Sequence, residues 1–455
     1  MKKTNIVFIL VDDMGYGDLG IFGDGSSKTP CLDKLVSEGV CLSHYYTPSP
    51  VCAPARAGII TGRYPHRTGA IDTYEAYGVD RMSLKETTLA DIFKKNGYRT
   101  GLVGKWHLGA FGDEYAPRGR GFEEAVCFRG GWSDYFEFKL DDNGKKRIGK
   151  GEYLTEVFTA EAIKYISNHK NEPFFLHVTY NAPHFPFQCP DEYMKQFRET
   201  GKFNDTLATL YGMINCMDKG VGEILDCIKK CGIEDDTIVV FASDNGPQLF
   251  DKVDRYNCHL HGCKCTAYDG GLRVPAIVKW PGKIPADVRV HDFIHGCDWF
   301  PTLLEACGLP VPAELKLDGR SVLGALTRHP DEYGRQRCWQ WNRLTPVSKC
   351  NAAIRDGKWK LLWPIINEAM QVPADADILD RKMKQVEGYP AELVPYDESF
   401  RKIPDPFPAE LYNMEDDPLE RNNLAGKYPD LVKQLTVDFE SWFEEVEAER
   451  RSITR

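Results

Sequence analysis

The sequence predicts an α/β fold: a large, mostly parallel sheet flanked by helices, with a smaller C-terminal α+β subdomain carrying an antiparallel sheet. Two observations carry this. Short, continuously apolar runs alternate with helical spacings through the first 335 residues, the pattern of strands buried on both faces. Near Arg335 the texture changes to short strand-like runs, a proline-rich charged stretch and one amphipathic helix. A chain of 455 residues also exceeds one simple core. The expected division is 1–335 for the α/β domain and 336–455 for the subdomain.

Asn5–Val11 (Asn-Ile-Val-Phe-Ile-Leu-Val) reads as the first buried strand. Pro54–Thr61 reads as a helix stopped by Gly62. Thr88 caps a helix that runs to Asn96 and ends at Gly97. Arg99–Val103 is the next strand. Leu154, Val157, Phe158 and Ile166 give Leu154–His169 a helical spacing; Pro173 breaks it, and Phe174–Tyr180 follows as a strand. Asp205–Lys230 is a long helix, and Thr237–Ala242 and Val274–Trp280 are two further strands. Later, Cys338–Arg343, Ala352–Arg355 and Lys358–Leu362 read as short strands, with Asp356-Gly357 as a hairpin turn. The proline-rich stretch extends to about Pro408. Leu431, Leu435, Phe439 and Trp442 make Pro429–Glu447 an amphipathic helix.

Hydrophobic residues make up 42% and charged residues 27%, a globular balance. A net charge of −10 argues against a nucleic-acid partner, so an anionic substrate needs a local basic cluster to hold it. The early apolar run Ile6–Val11 ends at Asp12 and Asp13, far short of the roughly 20 residues of a membrane span. No leader cleavage pattern follows it, so the expectation is a cytoplasmic protein without a membrane partner; a trimmed secreted or periplasmic form would read the same. Fifteen cysteines, an odd number, read as reduced thiols rather than a disulfide framework. Oligomeric state is not legible.

Four expected strands end in unusual polar residues. The first ends in Asp12-Asp13, the second in Gly104-Lys105-Trp106-His107, the third in Asn181-Ala182-Pro183-His184, and the fourth in Ser243-Asp244-Asn245-Gly246. In open α/β sheets ligands bind beyond the carboxyl ends of the strands, so parallel neighbours would bring all four clusters to one edge. Asp12, Asp13, Asp244 and Asn245 supply three carboxylates and an amide oxygen, an all-oxygen set suited to a hard cation such as Ca²⁺, with Mg²⁺ possible. Either motif alone is ordinary turn chemistry; a shared edge accounts for them together. Lys105, His107, His184 and Lys264 supply positive charge and proton donors, suited to a leaving oxygen that gathers negative charge. Placement at strand ends supports the first three; Lys264 has no such support.

The segment Pro50-Val51-Cys52-Ala53-Pro54-Ala55-Arg56 runs into the helix that stops at Gly62. A helix N-terminus offers unpaired N–H groups to an anion, and a cysteine there can be a reactive thiolate or simply a buried, inert one.

These residues resemble a known family. Cys52-x-Pro54-x-Arg56 with Thr61-Gly62-Arg63 resembles the formylglycine signature of type I sulfatases, members of the alkaline phosphatase superfamily. The run from Asn5 through Asp12, Asp13 and Gly17 to Asp18 resembles that family's opening strand and metal loop. Gly104-Lys105-Trp106-His107-Leu108-Gly109, Ser243-Asp244-Asn245-Gly246, and Lys264 through Gly270-Gly271-Leu272-Arg273-Val274-Pro275 resemble further family motifs. So does Glu410-Leu411-Tyr412-Asn413 through Asp417-Pro418, Glu420 and Asn423-Leu424. The resemblance implies an alkaline phosphatase-like fold and hydrolysis of an organic sulfate ester. It implies that a maturase oxidises Cys52 to formylglycine, whose hydrate attacks sulfur in line, expels the alcohol, and then releases sulfate. It places Asp12, Asp13, Asp244, Asn245 and residue 52 on the metal, and Arg56 on the diol. Lys105 and Lys264 grip the sulfate, His184 or Lys264 protonates the leaving oxygen, and His107 assists the second step. Most members with this cysteine carry Ser where this chain has Ala55, which leaves the choice of maturase open.

Three rival readings follow. Hydrolysis of phosphonate or phosphate esters could run on the same scaffold, but those relatives tend to carry His after the metal aspartate, where this chain has Asn245. An unmodified Cys52 would leave a binding protein for sulfated ligands. Cys258-His259-Leu260-His261-Gly262-Cys263-Lys264-Cys265 has zinc-ligand residue types but lacks the two distant halves of a zinc site. That loop is expected instead to line the substrate pocket, with His259 or His261 near the leaving group. Trp132 and Tyr135, Phe136, Trp339 and Trp341 are candidates for stacking on sugar rings, so the expected substrate is a small-molecule or oligosaccharide sulfate.

Overall fold

The computed structural model describes residues 3–249, 253–327, 336–384 and 393–453, with backbone alone at 381, 383 and 384. The strands, in chain order, are β1 (Asn5–Val11), β2 (Val40–Leu42), β3 (Tyr45–Tyr46) and β4 (Arg99–Lys105). Then come β5 (Glu124–Phe128), β6 (Lys139–Asp142), β7 (Lys145–Ile148), β8 (Phe174–Thr179) and β9 (Thr237–Ser243). β10 (Ala276–Lys279), β11 (Val288–Val290) and β12 (Ile294–His295) follow, and then β13 (Arg337–Gln340), β14 (Ala352–Asp356), β15 (Trp359–Trp363) and β16 (Glu410–Asn413).

Ten strands form one twisted sheet in the order β11-β2-β10-β9-β1-β8-β4-β5-β6-β7. Its centre, β9-β1-β8-β4-β5, is parallel throughout. The flanks turn antiparallel at β10 and at β6 and β7. β1 shows why the centre is buried on both sides. Val7, Ile9 and Val11 face the helices Leu154–His169 and Asp205–Lys230, while Ile6, Phe8 and Leu10 face Cys52–Thr61, Leu89–Lys95 and Trp299–Ala306. A strand with no polar face can only be an interior strand of a layered sheet.

The register brings the strand ends together. Val11 pairs with Ser243, Leu10 with Thr179, and Thr179 with Gly104. Four parallel neighbours therefore finish at one edge, as the polar clusters at their ends require.

Some bounds shift from those expected. The helix expected from Pro54 starts at Cys52, so Cys52 is its first residue and Val51 its cap. β4 runs two residues further than expected, so Lys105 is its last residue rather than the start of a loop. The strand expected as Val274–Trp280 is only Ala276–Lys279, and it runs antiparallel to β9. The strand expected to reach Arg343 ends at Gln340. Thr88 caps its helix as expected, accepting from the Asp91 backbone N–H.

β13 to β16 form a separate antiparallel sheet, with Gly357 in the left-handed region (φ 53°) at the β14–β15 hairpin. The helix Pro429–Arg451 covers one face, packing Leu435, Phe439 and Phe443 on Ile354, Leu361 and Trp363. The expected boundary at residue 335 lies outside the described residues. None of the fifteen cysteines is in a disulfide, and among the described residues no helix is long and apolar enough to cross a membrane.

Candidate active site

At the shared edge, Asp12 and Asp13 leave β1 and Asp244 and Asn245 leave β9. Consecutive strand residues normally face opposite sides. Asp13 escapes that rule by adopting φ 65°, in the left-handed region that a residue with a Cβ rarely occupies. Its backbone N–H then donates to Asp244 Oδ1 (3.3 Å), and Asn245 Nδ2 donates to Asp13 Oδ1 (2.7 Å). Arg56, one turn into the Cys52 helix, joins the two strand tips. Its Nε and Nη2 lie 2.9 and 2.8 Å from Asp244 Oδ2, its Nη2 is 3.8 Å from Asp12 Oδ1, and Nη1 donates to the Lys105 carbonyl (3.2 Å).

Lys105 Nζ sits 2.6 Å from Asp12 Oδ2, and Lys264 Nζ 2.7 Å from Asp13 Oδ1. All of these side chains are buried. Burial alone would raise the Asp12 and Asp13 carboxyls. Lys105 at the first and Lys264 at the second outweigh it and hold both below the ordinary carboxylate range. Asp244 goes the other way: burial and the negative charge of Asp12 push it up despite Arg56. Three carboxylates thus face three cations, and Asp244 is the one whose charged form is least favoured.

In this cluster two buried oxygen atoms, Asp12 Oδ1 and Asn245 Oδ1, have no hydrogen-bond partner among the described residues. A buried acceptor left unmade costs about 1–3 kcal/mol. Orphaned carboxylate and amide oxygens are donors suited to a hard cation, so the residues fit a divalent ion. Asp12, Asp13 and His184 also have ligand atoms within 4.8 Å of one another, the one such group found among the described residues.

Cys52 opens, with Lys264, His107 and His184, onto a cavity of about 210 Å³. Thr73, Tyr74, Gly131, Trp132, Phe185, Gln248, Arg343, Asp377 and Asp380 also line it. His107 has φ 59° and sets its Nε2 3.1 Å from the Thr73 carbonyl. A carbonyl only accepts, so in the neutral ring Nε2 carries the proton and Nδ1 is the basic nitrogen. A Cβ on Gly131 would stand 2.6 Å from the His107 ring, so the glycine is required for the close approach. His184 has its Nδ1 2.7 Å from the Phe185 carbonyl and its Nε2 3.9 Å from Asp13 Oδ2. Burial, then Lys264, hold it down to about 3, so the ring is neutral and Nε2 is an acceptor.

Of the residues singled out from sequence, Asp12, Asp13, Arg56, Lys105, Asp244, Asn245 and Lys264 form one contact network. Cys52, His107, His184 and Trp132 share its cavity. His259 and His261 are not brought to it. His261 turns to the Glu420 carbonyl (3.1 Å) and stacks on Tyr268 at 3.9 Å, and His259 packs edge-on against Tyr256. The zinc reading of that loop also has no support: no Cys–His group forms among the described residues, and Cys258 and Cys263 turn their thiols to backbone carbonyls. Trp339, Trp341 and Tyr135 are buried core, not pocket wall.

Arg343 escaped the sequence reading. It lies past the end of β13, beside Leu344 at φ 58°, and reaches the cavity with Nη1 2.9 Å from Asp72 and 2.8 Å from Thr73. Phe185, Gln248, Asp377 and Asp380 were missed too. No local pattern marks any of them.

Comparison with known proteins identifies the family and the fold. The family model described as Sulfatase matches residues 4–309, and one described as N-sulphoglucosamine sulphohydrolase, C-terminal, matches residues 259–374. Arylsulfatase J of Mus musculus is 29% identical, the alignment covering 95% of this chain and 75% of that protein. N-acetylgalactosamine-6-sulfatase of Canis lupus familiaris is 32% identical over 73% of this chain and 69% of its own length. The solved structure of Ps i-CgsB in complex with k-i-k-neocarrahexaose superposes with a TM-score of 0.82 at 29% identity, covering 97% of this chain and 93% of that one.

Proposed function

The chain belongs to the sulfatase family and is a sulfuric ester hydrolase, and from that premise we propose that it removes sulfate from a carbohydrate ester using a formylglycine made from Cys52 and a divalent cation, Ca²⁺ or Mg²⁺. The observation that carries this is that Cys52 shares a cavity wall with Lys264, whose ammonium rests on Asp13 beside the orphaned oxygens of Asp12 and Asn245. The sugar is supported by the relative named for N-acetylgalactosamine, by the neighbour solved with a carrahexaose, and by Trp132 in the cavity wall.

Asp12, Asp13, Asp244 and Asn245 would hold the cation. Bound there, the cation and the hydrated aldehyde would supply Lewis-acid charge and a nucleophilic oxygen. Making the aldehyde exchanges the sulfur on the Cys52 Cβ for oxygen and passes electrons to the maturase's own acceptor. The remaining chemistry belongs to side chains in view. Lys105 and Lys264, which rest on Asp12 and Asp13, would present ammonium groups to the sulfate oxygens. Arg56 fixes Asp244 through two nitrogens and so holds the two strand tips in register. Of the two candidates for protonating the leaving oxygen, Lys264 carries the proton: its ammonium rests on Asp13, whereas neutral His184 spends its N–H on Phe185. His107, with its basic Nδ1, is the group that takes a proton in the step that releases sulfate.

Fifteen unpaired cysteines support a reducing, cytoplasmic setting. The test joins mass spectrometry of the residue-52 peptide with sulfate release from defined sulfated sugars. We expect an aldehyde at position 52 and turnover that falls on the order of 10⁴-fold or more in Cys52→Ala. Active protein carrying only an intact thiol there would overturn the reading.

A further inference from the structure

Arg343 follows β13 by three residues and lines the cavity, held at one end of its guanidinium. Nη1 spends its two hydrogens on Asp72 Oδ1 (2.9 Å) and Thr73 Oγ1 (2.8 Å). Asp72 is fully buried and closed: its Oδ1 also accepts the Thr73 N–H and its Oδ2 the Leu344 N–H, each at 2.8 Å. The rings of Tyr74 and Trp341 pack against the guanidinium, their centres 4.9 and 5.1 Å from Cζ. Anchor and rings together fix its plane. Nε and Nη2 differ from Nη1. Neither has a hydrogen-bond partner among the described residues, neither is a fully buried atom, and 24% of the side chain is exposed.

In a guanidinium, Nε–H and one Nη2–H run parallel, a two-donor fork matched to a pair of oxygens. A tie to Asp72 and Thr73 needs one nitrogen, which a lysine also has; the fork is what arginine adds. Its donors are held in place before any ligand arrives, which lowers the cost of binding. Arginine only donates, so the ligand must supply acceptors. With sulfate gripped by Lys264 on the same wall, the part of the ester left to meet Arg343 is the alcohol. Resting on the sulfate-ester reading above, we propose that Arg343 is a substrate-binding, specificity-determining residue whose Nε and Nη2 hold two neighbouring oxygens of the sugar that bears the scissile sulfate. Adjacent hydroxyls supply such a pair, and so does a carboxylate.

The test measures kcat/KM in wild type and Arg343→Lys for 4-nitrophenyl sulfate, which lacks sugar oxygens, and for a panel of singly sulfated sugars, uronates included. Each ratio is taken within one preparation, so partial misfolding of the variant cancels. Against 4-nitrophenyl sulfate, the variant should lose about thirtyfold or more on the best-cleaved sugar. Deoxy analogues of that sugar, or its uronate reduced to the alcohol, then locate the pair. At least one should cost wild type about tenfold and the variant about threefold or less; a deoxy analogue names hydroxyls, the reduced uronate a carboxylate. Equal losses on both substrate types would overturn the inference, because Arg343 would then act only by holding Thr73, whose carbonyl sets His107. So would no loss on the sugar, or analogues that cost the variant as much as wild type. Release from 4-nitrophenyl sulfate with no sugar cleaved would overturn it and leave ester hydrolysis standing. No release from any substrate would overturn both readings.

Discussion

Two buried clusters in this molecule set carboxylates against basic side chains and differ in how fully their oxygens are paired. At the sheet edge, Asp12, Asp13 and Asp244 face Lys105, Lys264 and Arg56. Behind it, Asp269 and Glu420 face Lys360, whose Nζ lies 2.8 and 2.7 Å from them. In the second cluster every carboxylate oxygen has a partner: Asp269 Oδ2 takes the Tyr46 hydroxyl (2.6 Å), and Glu420 Oε2 takes the Asp269 backbone N–H (2.8 Å). In the first, Asp12 Oδ1 and Asn245 Oδ1 have none. A closed network joins the small sheet to the large one; an open network leaves coordination for something else. Satisfaction of the oxygens, not burial or charge, separates the structural cluster from the functional one.

The largest effect that would sharpen this contrast comes from Lys360→Met. It leaves Asp269 and Glu420 buried without their cation, a loss expected to cost about 3–5 kcal/mol of stability. The unfolding free energy from denaturant titration should fall by that amount while turnover per folded molecule keeps its order of magnitude. A stable but inactive variant would instead place the triad in the chemistry.

Next in size is the response to a divalent ion. If the open cluster is a cation site, Ca²⁺ at a hundredfold excess over its Kd should stabilise the fold by about 2.7 kcal/mol, and a chelator should reverse it. Thermal unfolding reads this without reference to activity. Asp244→Asn should blunt the gain. Equal response in wild type and variant would erase the distinction between the clusters.

The smallest effect comes from a buried group with no charge to balance. Burial holds His177, on β8, down to about 3 from 6.5, with its Nδ1 3.1 Å from the Phe8 carbonyl. The unfolded chain then takes up the proton first, so this contribution is complete above pH 6.5 and is lost as pH falls towards about 3. The slope is about 1.4 kcal/mol per pH unit. Urea midpoints between pH 6.5 and 5 should drop in wild type and flatten in His177→Gln. Identical profiles would show that the acid sensitivity arises from the charged clusters.

The parts of the site that were legible in sequence share a property. Asp12-Asp13, Lys105, His107, His184 and Asp244-Asn245 each follow a run apolar enough to declare itself a strand, so their place at a strand end was local information. Cys52 and Arg56 were legible through the helix they open. The tail from Glu410 to Asn423 was legible only as a motif. The structure supplies its reason, since Glu420 closes the Lys360 triad and Asn423 Oδ1 accepts the Leu411 N–H at 3.1 Å. His259 and His261 misled because residue type and proximity to Lys264 say nothing of direction. The loop carries positive φ at Cys258, His259 and Cys265, and it sets His261 on Glu420 and Tyr268 and His259 on Tyr256, while Lys264 and Cys265 line the cavity.

By itself, then, the sequence determined the alternation of buried strands and helices, the polar groups at their tips and the chemistry those groups could perform. Periodicity and composition act over a few residues and are written along the chain. The tertiary structure alone decided which tips are neighbours, which oxygens stay without partners, and that Arg343, Asp377 and Asp380 close the cavity from about 290 to 330 positions beyond Cys52. Those outcomes depend on strand order and on the path of distant loops. Packing of the whole chain sets both, and no local propensity encodes either.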